Sequence, residues 1–277
     1  MSLNEKSILL ITLLKFNVFL IAINGYGQDK RNNENIIHIE KSNYGLIFTD
    51  IQINGKNVKA MIDFGDPNVL QLSSQFVNKG GFEVKKTNAV AKDKFGNTFD
   101  INKGVAKEVV IGLWKNVDIE FSSSPNEMES VAKEINTKFD AVVGWGYFSK
   151  YYTEVNYKAS TFMLYKEKPK NRNILFSSPY NKNSNYLSIP VVINSKKQNL
   201  IIDTGSPITV FHSEFYNENG RENLSFDIEN KSFSLKPQSQ ELSMVKQLNA
   251  VGIIGGDFLG KYKVIIDPVE KKLEFGN

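Results

Sequence analysis

The sequence contains no cysteine and only two histidines, His38 and His212. Without thiols the chain has no disulfide, no cysteine nucleophile and no cysteine-based metal site. Two histidines provide little material for a histidine-rich metal centre or a serine-type catalytic triad. We therefore expect no metal and no cofactor, and we interpret His212, which lies in an apolar run, as a packing or surface residue.

The chain also has little excess charge of either sign. Its 34 basic and 30 acidic side chains leave a net charge of +4, and no long basic cluster concentrates it. A nucleic-acid partner is therefore not predicted. A hydrophobic content of 41% and a charged content of 23% are typical of a globular protein. The length of 277 residues allows one large or two small domains.

The N-terminal apolar run is not a continuous one. Lys6 precedes the stretch SILLITLLKFNVFLIAI, and Lys15 divides it into pieces too short to span a bilayer comfortably. Small residues follow at Gly25 and Gly27, which completes the layout of a secretory signal over residues 1–27. A retained membrane anchor is the alternative. We predict an exported protein, periplasmic or extracellular, with no stable membrane span after signal cleavage.

Two halves of the chain repeat the same pattern. The stretch YGLIFTDIQINGKNVKAMIDFG ends in Asp63-Phe64-Gly65, and NYLSIPVVINSKKQNLIIDTGS ends in Asp203-Thr204-Gly205-Ser206. Each stretch has an apolar run, a turn and a second apolar run, with the turns at Asn54-Gly55 and at residues 194–197. Asn-Gly between such runs is a strong signal for a β-hairpin. Both hairpins therefore deliver their second strand into an Asp-x-Gly turn.

A second pair of related segments lies downstream, and it indicates a duplicated lobe. Val142-Val143-Gly144 in the first half corresponds to Ile253-Ile254-Gly255 in the second, and a further strand pattern follows each. Only residues 126–138 have the spacing of an amphipathic helix. We predict an all-β, bilobal fold built from two duplicated β-lobes. The predicted organisation is a signal peptide (1–27), a flexible lead-in (28–43), an N-terminal lobe (44–165), a linker (166–185) and a C-terminal lobe (186–277).

The repeated Asp-x-Gly turns suggest a specific chemistry. An aspartate at the end of a buried strand, followed by glycine, lies in a tight bend where nearby amides can donate to its carboxylate. Two such turns related by duplication can bring Asp63 and Asp203 together, and close carboxylates share one proton. The ionised member can then accept a proton from water while the protonated member polarises a carbonyl.

With these motifs the chain resembles the aspartic proteases of the pepsin and retropepsin group, over residues 44–275. The resemblance implies an aspartic-type endopeptidase that cleaves extended peptides or unfolded proteins in a cleft between two β-lobes. We predict that the chain is a monomer. Asp63 and Asp203 would be the catalytic pair. The supporting residues would be Gly65, Asp66, Gly144, Thr204, Gly205, Ser206 and Gly255. Phe95, in the hairpin-like segment 91–104, is the candidate for a flap aromatic, with a plain surface hairpin as the alternative.

The first motif departs from the family pattern at two positions. Phe64 has no hydroxyl, so only Thr204 can supply the side-chain brace that members of the group form between their two lobes. Ser206 can donate its hydroxyl proton to Asp203, whereas Asp66 at the matching position adds a like charge when ionised. These departures lead us to expect activity skewed to acidic pH. They also leave open a catalytically impaired protein that binds peptides or a partner without cleavage.

Overall fold

The structure is a computed structural model that describes residues 36–92, 98–124, 127–170, 172–181, 185–219 and 223–277. Strands make up 52% of the chain and helices 14%, which confirms the prediction of an all-β fold. The residues Asn35–Asn277 form one compact unit.

The described residues form 21 strands and six short helices. The strands of the first half are β1 (Ile36–His38), β2 (Glu40–Lys41), β3 (Ile47–Ile53), β4 (Lys56–Asp63), β5 (Leu70–Leu72), β6 (Val84–Lys92), β7 (Thr98–Ile111), β8 (Trp114–Ser123), β9 (Ala141–Gly144), β10 (Tyr152–Asn156) and β11 (Thr161–Tyr165). Those of the second half are β12 (Ile174–Pro179), β13 (Ser188–Ile193), β14 (Lys196–Ile202), β15 (Val210–His212), β16 (Leu224–Ile228), β17 (Lys231–Leu235), β18 (Gln238–Gln240), β19 (Gly252–Ile254), β20 (Lys263–Asp267) and β21 (Lys272–Gly276). The helices are α1 (Ser74–Gly80), α2 (Glu127–Glu134), α3 (Trp145–Phe148), α4 (Ser213–Asn219), α5 (Ser243–Gln247) and α6 (Gly256–Leu259).

Each half of the chain forms its own sheet. The eight-stranded sheet has the order β2-β3-β4-β9-β5-β8-β7-β6, with an additional β3–β7 pairing. The seven-stranded sheet has the order β17-β16-β13-β14-β19-β15-β18. Equivalent strands occupy equivalent places in the two sheets, so the predicted pair of related β-lobes is confirmed.

A third sheet joins the two lobes. Its order is β1-β11-β10-β20-β21-β12, with three strands from each half of the chain. At its centre β10 pairs antiparallel with β20, and Val155 lies opposite Val264 in that pairing. Both side chains are buried. The lobes therefore share backbone hydrogen bonds and core.

The predicted hairpins form as expected, because their turns have the backbone twist that a two-residue connection requires. Asn54 and Gly55 connect β3 to β4 with φ angles of 49° and 75°, and Asn194 and Ser195 connect β13 to β14 with φ angles of 50° and 63°. Positive φ at both turn positions is the signature of a type I′ turn, whose twist matches that of the paired strands.

A later strand passes between the hairpin and the strand that follows it, in both lobes. β9 lies between β4 and β5, parallel to the first and antiparallel to the second. β19 lies in the same way between β14 and β15. The chain must therefore bend sharply between β4 and β5 and again between β14 and β15. These two bends contain the Asp-x-Gly motifs.

The predicted amphipathic helix is present as α2. Met128 is buried in a small core cluster, and Ala132 and Ile135 pack against that cluster. Val131 belongs by its spacing to the same apolar side as Met128, and it is 38% exposed. The helix therefore covers the first lobe with a narrower apolar face than the sequence pattern indicated.

Two segments expected to be irregular contain strands. Residues 36–41, within the predicted flexible lead-in, form β1 and β2, and residues 174–179, within the predicted linker, form β12. β1 pairs with β11 and β12 with β21, so these two strands belong to the sheet that joins the lobes, whereas β2 pairs with β3 in the first lobe. The predicted signal peptide and Phe95 lie outside the described residues. Within the described part of the chain, no helix has the length and apolar character needed to cross a membrane.

Candidate active site

Asp63 and Asp203 lie at the two sharp bends. Asp63 is the last residue of β4, and Asp203 directly follows β14. In each bend the backbone returns to its own carboxylate: the Gly65 N–H donates to Asp63 Oδ1 (2.8 Å) and the Gly205 N–H donates to Asp203 Oδ1 (2.7 Å). Both aspartates keep partial solvent exposure. Two equivalent turns therefore hold two carboxyl groups by the same hydrogen bond.

The structure brings the two carboxyl groups together. A Cβ atom added to Gly65 would lie 2.4 Å from Cγ of Asp203, and one added to Gly205 would lie 2.4 Å from Oδ2 of Asp63. Each carboxyl group thus rests on the glycine of the opposite turn, and the two groups hydrogen bond to each other. Glycine is required at both positions because any side chain would occupy the space of the opposite aspartate.

The proton affinity of the pair is raised. Burial, followed by the negative charges of Asp203 and Asp66, raises the pKa of Asp63 well above its ordinary value. Burial also raises the pKa of Asp203, although the hydrogen bond from Asp63 and the backbone N–H groups of Gly205 and Ser206 act in the opposite direction. The arrangement favours one proton shared between the two carboxyl groups.

Glycine also permits the strand behind each bend to approach it closely. A Cβ on Gly144 would lie 2.3 Å from the Asn68 carbonyl oxygen, and a Cβ on Gly255 would lie 2.3 Å from that of Ile208. The residues after these glycines donate backbone hydrogen bonds to the bends, from Trp145 to Asp66 O (2.7 Å) and from Gly256 to Ser206 O (2.8 Å). Gly144 and Gly255 therefore support the aspartate turns through the backbone.

Thr204 connects the two lobes beneath the aspartates. Its hydroxyl donates to the Ile62 carbonyl oxygen (2.7 Å) and accepts from the Phe64 N–H (2.9 Å). The Phe64 side chain is fully buried and packs edge-on against Phe148, with ring centroids 5.4 Å apart. One half of a reciprocal brace is therefore present, and an aromatic core residue stands where the other half would be.

Ser206 supports Asp203 in a different way from the sequence-based expectation. Its hydroxyl donates to the Ile208 carbonyl oxygen (2.8 Å), and its backbone N–H donates to the Asp203 carbonyl oxygen (3.4 Å). The hydroxyl bonds to Ile208 because that carbonyl lies two residues along the same bend, a local side-chain-to-backbone contact that serine forms readily. The expected hydroxyl donation to the Asp203 carboxylate is therefore not formed, and the nearby Ser206 N–H lowers the pKa of that carboxyl group.

Asp66 is buried, and it accepts hydrogen bonds from the exposed Asn68 and the half-buried Gln71. Asp66 Oδ1 accepts from the backbone N–H (3.0 Å) and the side-chain amide (2.7 Å) of Asn68, and Oδ2 accepts from Gln71 Nε2 (2.7 Å). Burial raises the pKa of Asp66, while these donors lower it. Burial outweighs the donors, so the pKa of Asp66 is raised on balance. When Asp66 ionises, its negative charge lies beside the catalytic candidates.

This charge acts on the protonation of the aspartate pair. It raises the pKa of both Asp63 and Asp203, so the pair keeps a shared proton to higher pH than it would without Asp66. The expectation of activity skewed to acidic pH stays a prediction.

Three residues of the site were not identified from the sequence. Asn68 and Gln71 satisfy Asp66, and the hydroxyl of Tyr157 lies buried with no hydrogen-bond partner among the described residues. Burial and the charges of Asp203 and Asp63 raise the pKa of Tyr157, so its hydroxyl lies near the pair. Asn68 had a local signal, because asparagine two residues after aspartate fits an Asx turn. Tyr157 had no such local signal, because it directly follows β10, which is distant in sequence from both aspartate turns.

Other polar clusters have structural explanations. His212 is buried, and its Nε2 lies 3.0 Å from Glu241 Oε1, away from the aspartate turns. Asp267, Glu270 and Glu274 could together hold a metal ion, but the Lys168 ammonium lies among them, 2.7 Å from Asp267 and 2.8 Å from Glu270. A cavity of about 1330 Å³ on the β6–β8 side of the first lobe contains none of the site residues.

Comparison with protein-family models and with curated proteins finds no match for this chain.

Proposed function

We propose that this chain is an exported aspartic-type endopeptidase of the pepsin and retropepsin group, which hydrolyses peptide bonds with a water molecule activated by Asp63 and Asp203. The observation that carries the proposal is the mutual contact of two carboxyl groups that end equivalent turns in two related lobes. A structural role for one such turn is common. Two buried, hydrogen-bonded carboxyl groups with raised pKa values are characteristic of acid–base catalysis.

The proposed reaction uses the two groups in different protonation states. Asp203, ionised, accepts a proton from water, and the resulting hydroxide oxygen forms a bond to the carbonyl carbon of the scissile peptide. Asp63, protonated, donates its hydrogen bond to the carbonyl oxygen and stabilises the tetrahedral intermediate. The C–N bond then breaks as the nitrogen receives the proton that Asp203 took from water. The products are one carboxylic acid and one amine, and Asp63 again holds the shared proton.

The test is the cleavage of an unfolded protein by the purified full-length chain, measured from acidic to neutral pH. Asp203→Asn removes the proton acceptor and keeps the shape of the side chain, so we expect the rate to fall by about 10²–10⁴-fold. Asp50→Asn is the matched control, because Asp50 is exposed on β3 and takes no part in the site. Equal cleavage by the wild type and Asp203→Asn would refute the proposed mechanism.

A binding protein without turnover is the second candidate function. Phe64 and Asp66 favour it, because half of the brace between the lobes is missing and the pair carries an additional negative charge. In that case neither the wild type nor Asp203→Asn would cleave at any pH, while calorimetry would still detect binding of unfolded peptides. Cleavage that depends on Asp203 excludes this candidate.

A further inference from the structure

A polar cavity of about 470 Å³ adjoins the first aspartate turn. Its walls include Asn68, Trp145, Ser149, Tyr180, Asn185 and Lys271, and we call it the Trp145 cavity. Its volume falls in the range of small-molecule sites. Trp145 and Tyr180 form an edge-to-face pair with ring centroids 5.5 Å apart, which gives the cavity a rigid aromatic wall.

The position of the Trp145 cavity links it to the aspartate pair. Gly144 pairs with Asp63 between parallel strands, and Trp145 is the next residue. Neighbouring strands lie about 4.8 Å apart and consecutive Cα atoms about 3.8 Å apart, so the Trp145 backbone lies within about 9 Å of the Asp63 backbone. An extended peptide advances about 3.3 Å per residue. The distance between the two backbones is therefore one that about three residues of an extended peptide span.

The matching place in the second lobe is lined differently. Ser149 and Gly260 follow α3 and α6 as their C-caps. The ring of Tyr157 lies 3.9 Å from the position that a Cβ on Gly260 would occupy. Tyr157 directly follows β10, and Pro268 directly follows the equivalent strand β20. Proline, which is smaller, therefore stands where the other lobe has tyrosine, and the surroundings of Ser149 and Gly260 differ.

The charge of the cavity is positive. Among the described residues that line the cavity, Lys271 is the one basic side chain, and none is a carboxylate. The Lys271 ammonium lies 5.9 Å from the centre of the Tyr180 ring. Asn68 directs both of its N–H donors at Asp66, so the Asp66 carboxylate is already satisfied behind the cavity wall. The Asn185 carboxamide adds a neutral polar group.

From these observations we propose that the Trp145 cavity binds a carboxylate at the end of a peptide chain, with Lys271 as its ion partner. This inference rests on the proposed function only in taking a peptide as the ligand. Since the cavity lies about three residues from the aspartate pair, the preferred substrates are peptides whose free C-terminus lies about three residues beyond the scissile bond. The chain would then release short C-terminal fragments.

Binding is tested without turnover, by calorimetry on the full-length Asp203→Asn variant. The probes are one short peptide with a free C-terminal carboxylate, the same peptide as its C-terminal amide, and acetate. Hydrogen bonds to charged groups are strong enough that we expect the acid to bind about tenfold or more tightly than the amide. Acetate should bind far more weakly than the peptide acid, because it lacks the chain that packs against Trp145.

Variants of Lys271 identify the ion partner. Lys271→Met should abolish the preference for the acid and Lys271→Arg should keep it, which separates loss of charge from loss of folding. Lys261→Met removes one positive charge from an exposed lysine outside the cavity, and this variant should also keep the preference for the acid. Equal binding of acid and amide, a preference that survives Lys271→Met, or displacement of the peptide acid by an equal concentration of acetate would overturn the inference.

The two proposals fail separately in these experiments. Cleavage that depends on Asp203, together with equal binding of acid and amide, would support the proposed function and refute the carboxylate site. Selective binding of the acid without any cleavage would support the carboxylate site and refute the proposed endopeptidase function.

Discussion

Phe64 occupies the position in the first lobe that Thr204 occupies in the second, but its side chain lies in the core. In the second lobe, Thr204 at the equivalent position directs its hydroxyl across to Ile62 and Phe64. In the first lobe, the Phe64 ring packs into an aromatic cluster with Phe148, which in turn packs against Phe162 with ring centroids 5.3 Å apart. The aspartate turns are thus connected by one side chain instead of two, and the first lobe gains buried apolar surface.

We predict that Phe64→Thr, which restores the residue type of the other lobe, destabilises the protein. Removing most of a fully buried aromatic ring leaves a cavity, and such changes cost about 3–5 kcal/mol. The introduced hydroxyl adds at most about 0.5–1.5 kcal/mol of hydrogen bonding in return. Urea unfolding measures the net loss. Phe64→Leu is the control, since it keeps an apolar side chain and should lose less; a Phe64→Thr variant as stable as the wild type would contradict the prediction.

The residues of the site differ in how far the sequence reveals them. Asp63 and Asp203 are recognisable because the same motif occurs twice, each time at the end of an apolar strand. The direction of the Ser206 hydroxyl cannot be recognised from the sequence. A short serine side chain can donate to more than one nearby acceptor, and the backbone path of the bend decides which one it meets. The donors to Asp66 depend likewise on where β5 places Gln71.

At the scale of single elements, the glycines of the bends have two distinct tasks. Gly65 and Gly205 leave room for the carboxyl group of the opposite aspartate, whereas Gly144 and Gly255 leave room for the backbone of their own lobe. A side chain can rotate away from an added methyl group, and a carbonyl in a tight bend cannot. The same substitution therefore has different consequences in the two places.

We predict that Gly255→Ala lowers stability more than Gly205→Ala. The added Cβ at position 255 would lie 2.3 Å from the Ile208 carbonyl oxygen, and overpacking of this kind costs about 1–3 kcal/mol. The added Cβ at position 205 meets Asp63 Oδ2 and displaces that carboxyl group; a displacement near 1 Å costs about 10²-fold in rate. Urea unfolding and cleavage rates measure the two effects. A Gly205→Ala variant with full activity would contradict the account of the aspartate pair.

Local elements could be predicted and distant pairings could not. The hairpins β3–β4 and β13–β14 follow from turn residues that lie within a few positions of the paired strands. β1 and β12 are short and pair with β11 and β21, which lie far away in the sequence, so no local pattern marks them. Their segments are polar and rich in asparagine and lysine, which is why the sequence predicted a lead-in and a linker there.

At the scale of the whole molecule, the aspartate pair makes stability depend on pH. The folded-state pKa values of Asp63, Asp66 and Asp203 are raised, so the folded chain binds more protons than the unfolded chain over the range between the two sets of values. Stability from these groups is complete below the unfolded pKa of about 3.9 and is lost as the pH rises through the folded values. Each unit of raised pKa corresponds to about 1.4 kcal/mol.

We therefore predict that the wild type loses stability between mildly acidic and neutral pH, and that Asp63→Asn loses less over the same range. The asparagine cannot ionise, and it also removes a negative charge from beside Asp203. Urea unfolding of both proteins at a series of pH values gives the two slopes. Asp50→Asn, at an exposed position, should keep the wild-type slope. Equal slopes for the wild type and Asp63→Asn would show that the pair does not hold its proton in the folded state.

The central claim is that two carboxyl groups from two lobes share one proton, and a titration of the aspartate side-chain carbons by nuclear magnetic resonance tests it most directly. In the wild type we predict that the Asp63 carboxyl group remains protonated well above the ordinary range of aspartate, because of burial and the charges of Asp203 and Asp66. In Asp203→Asn the pKa of Asp63 should fall as the neighbouring charge is removed. Titration of both Asp63 and Asp203 in the ordinary range, with no effect of either substitution on the other residue, would contradict the account.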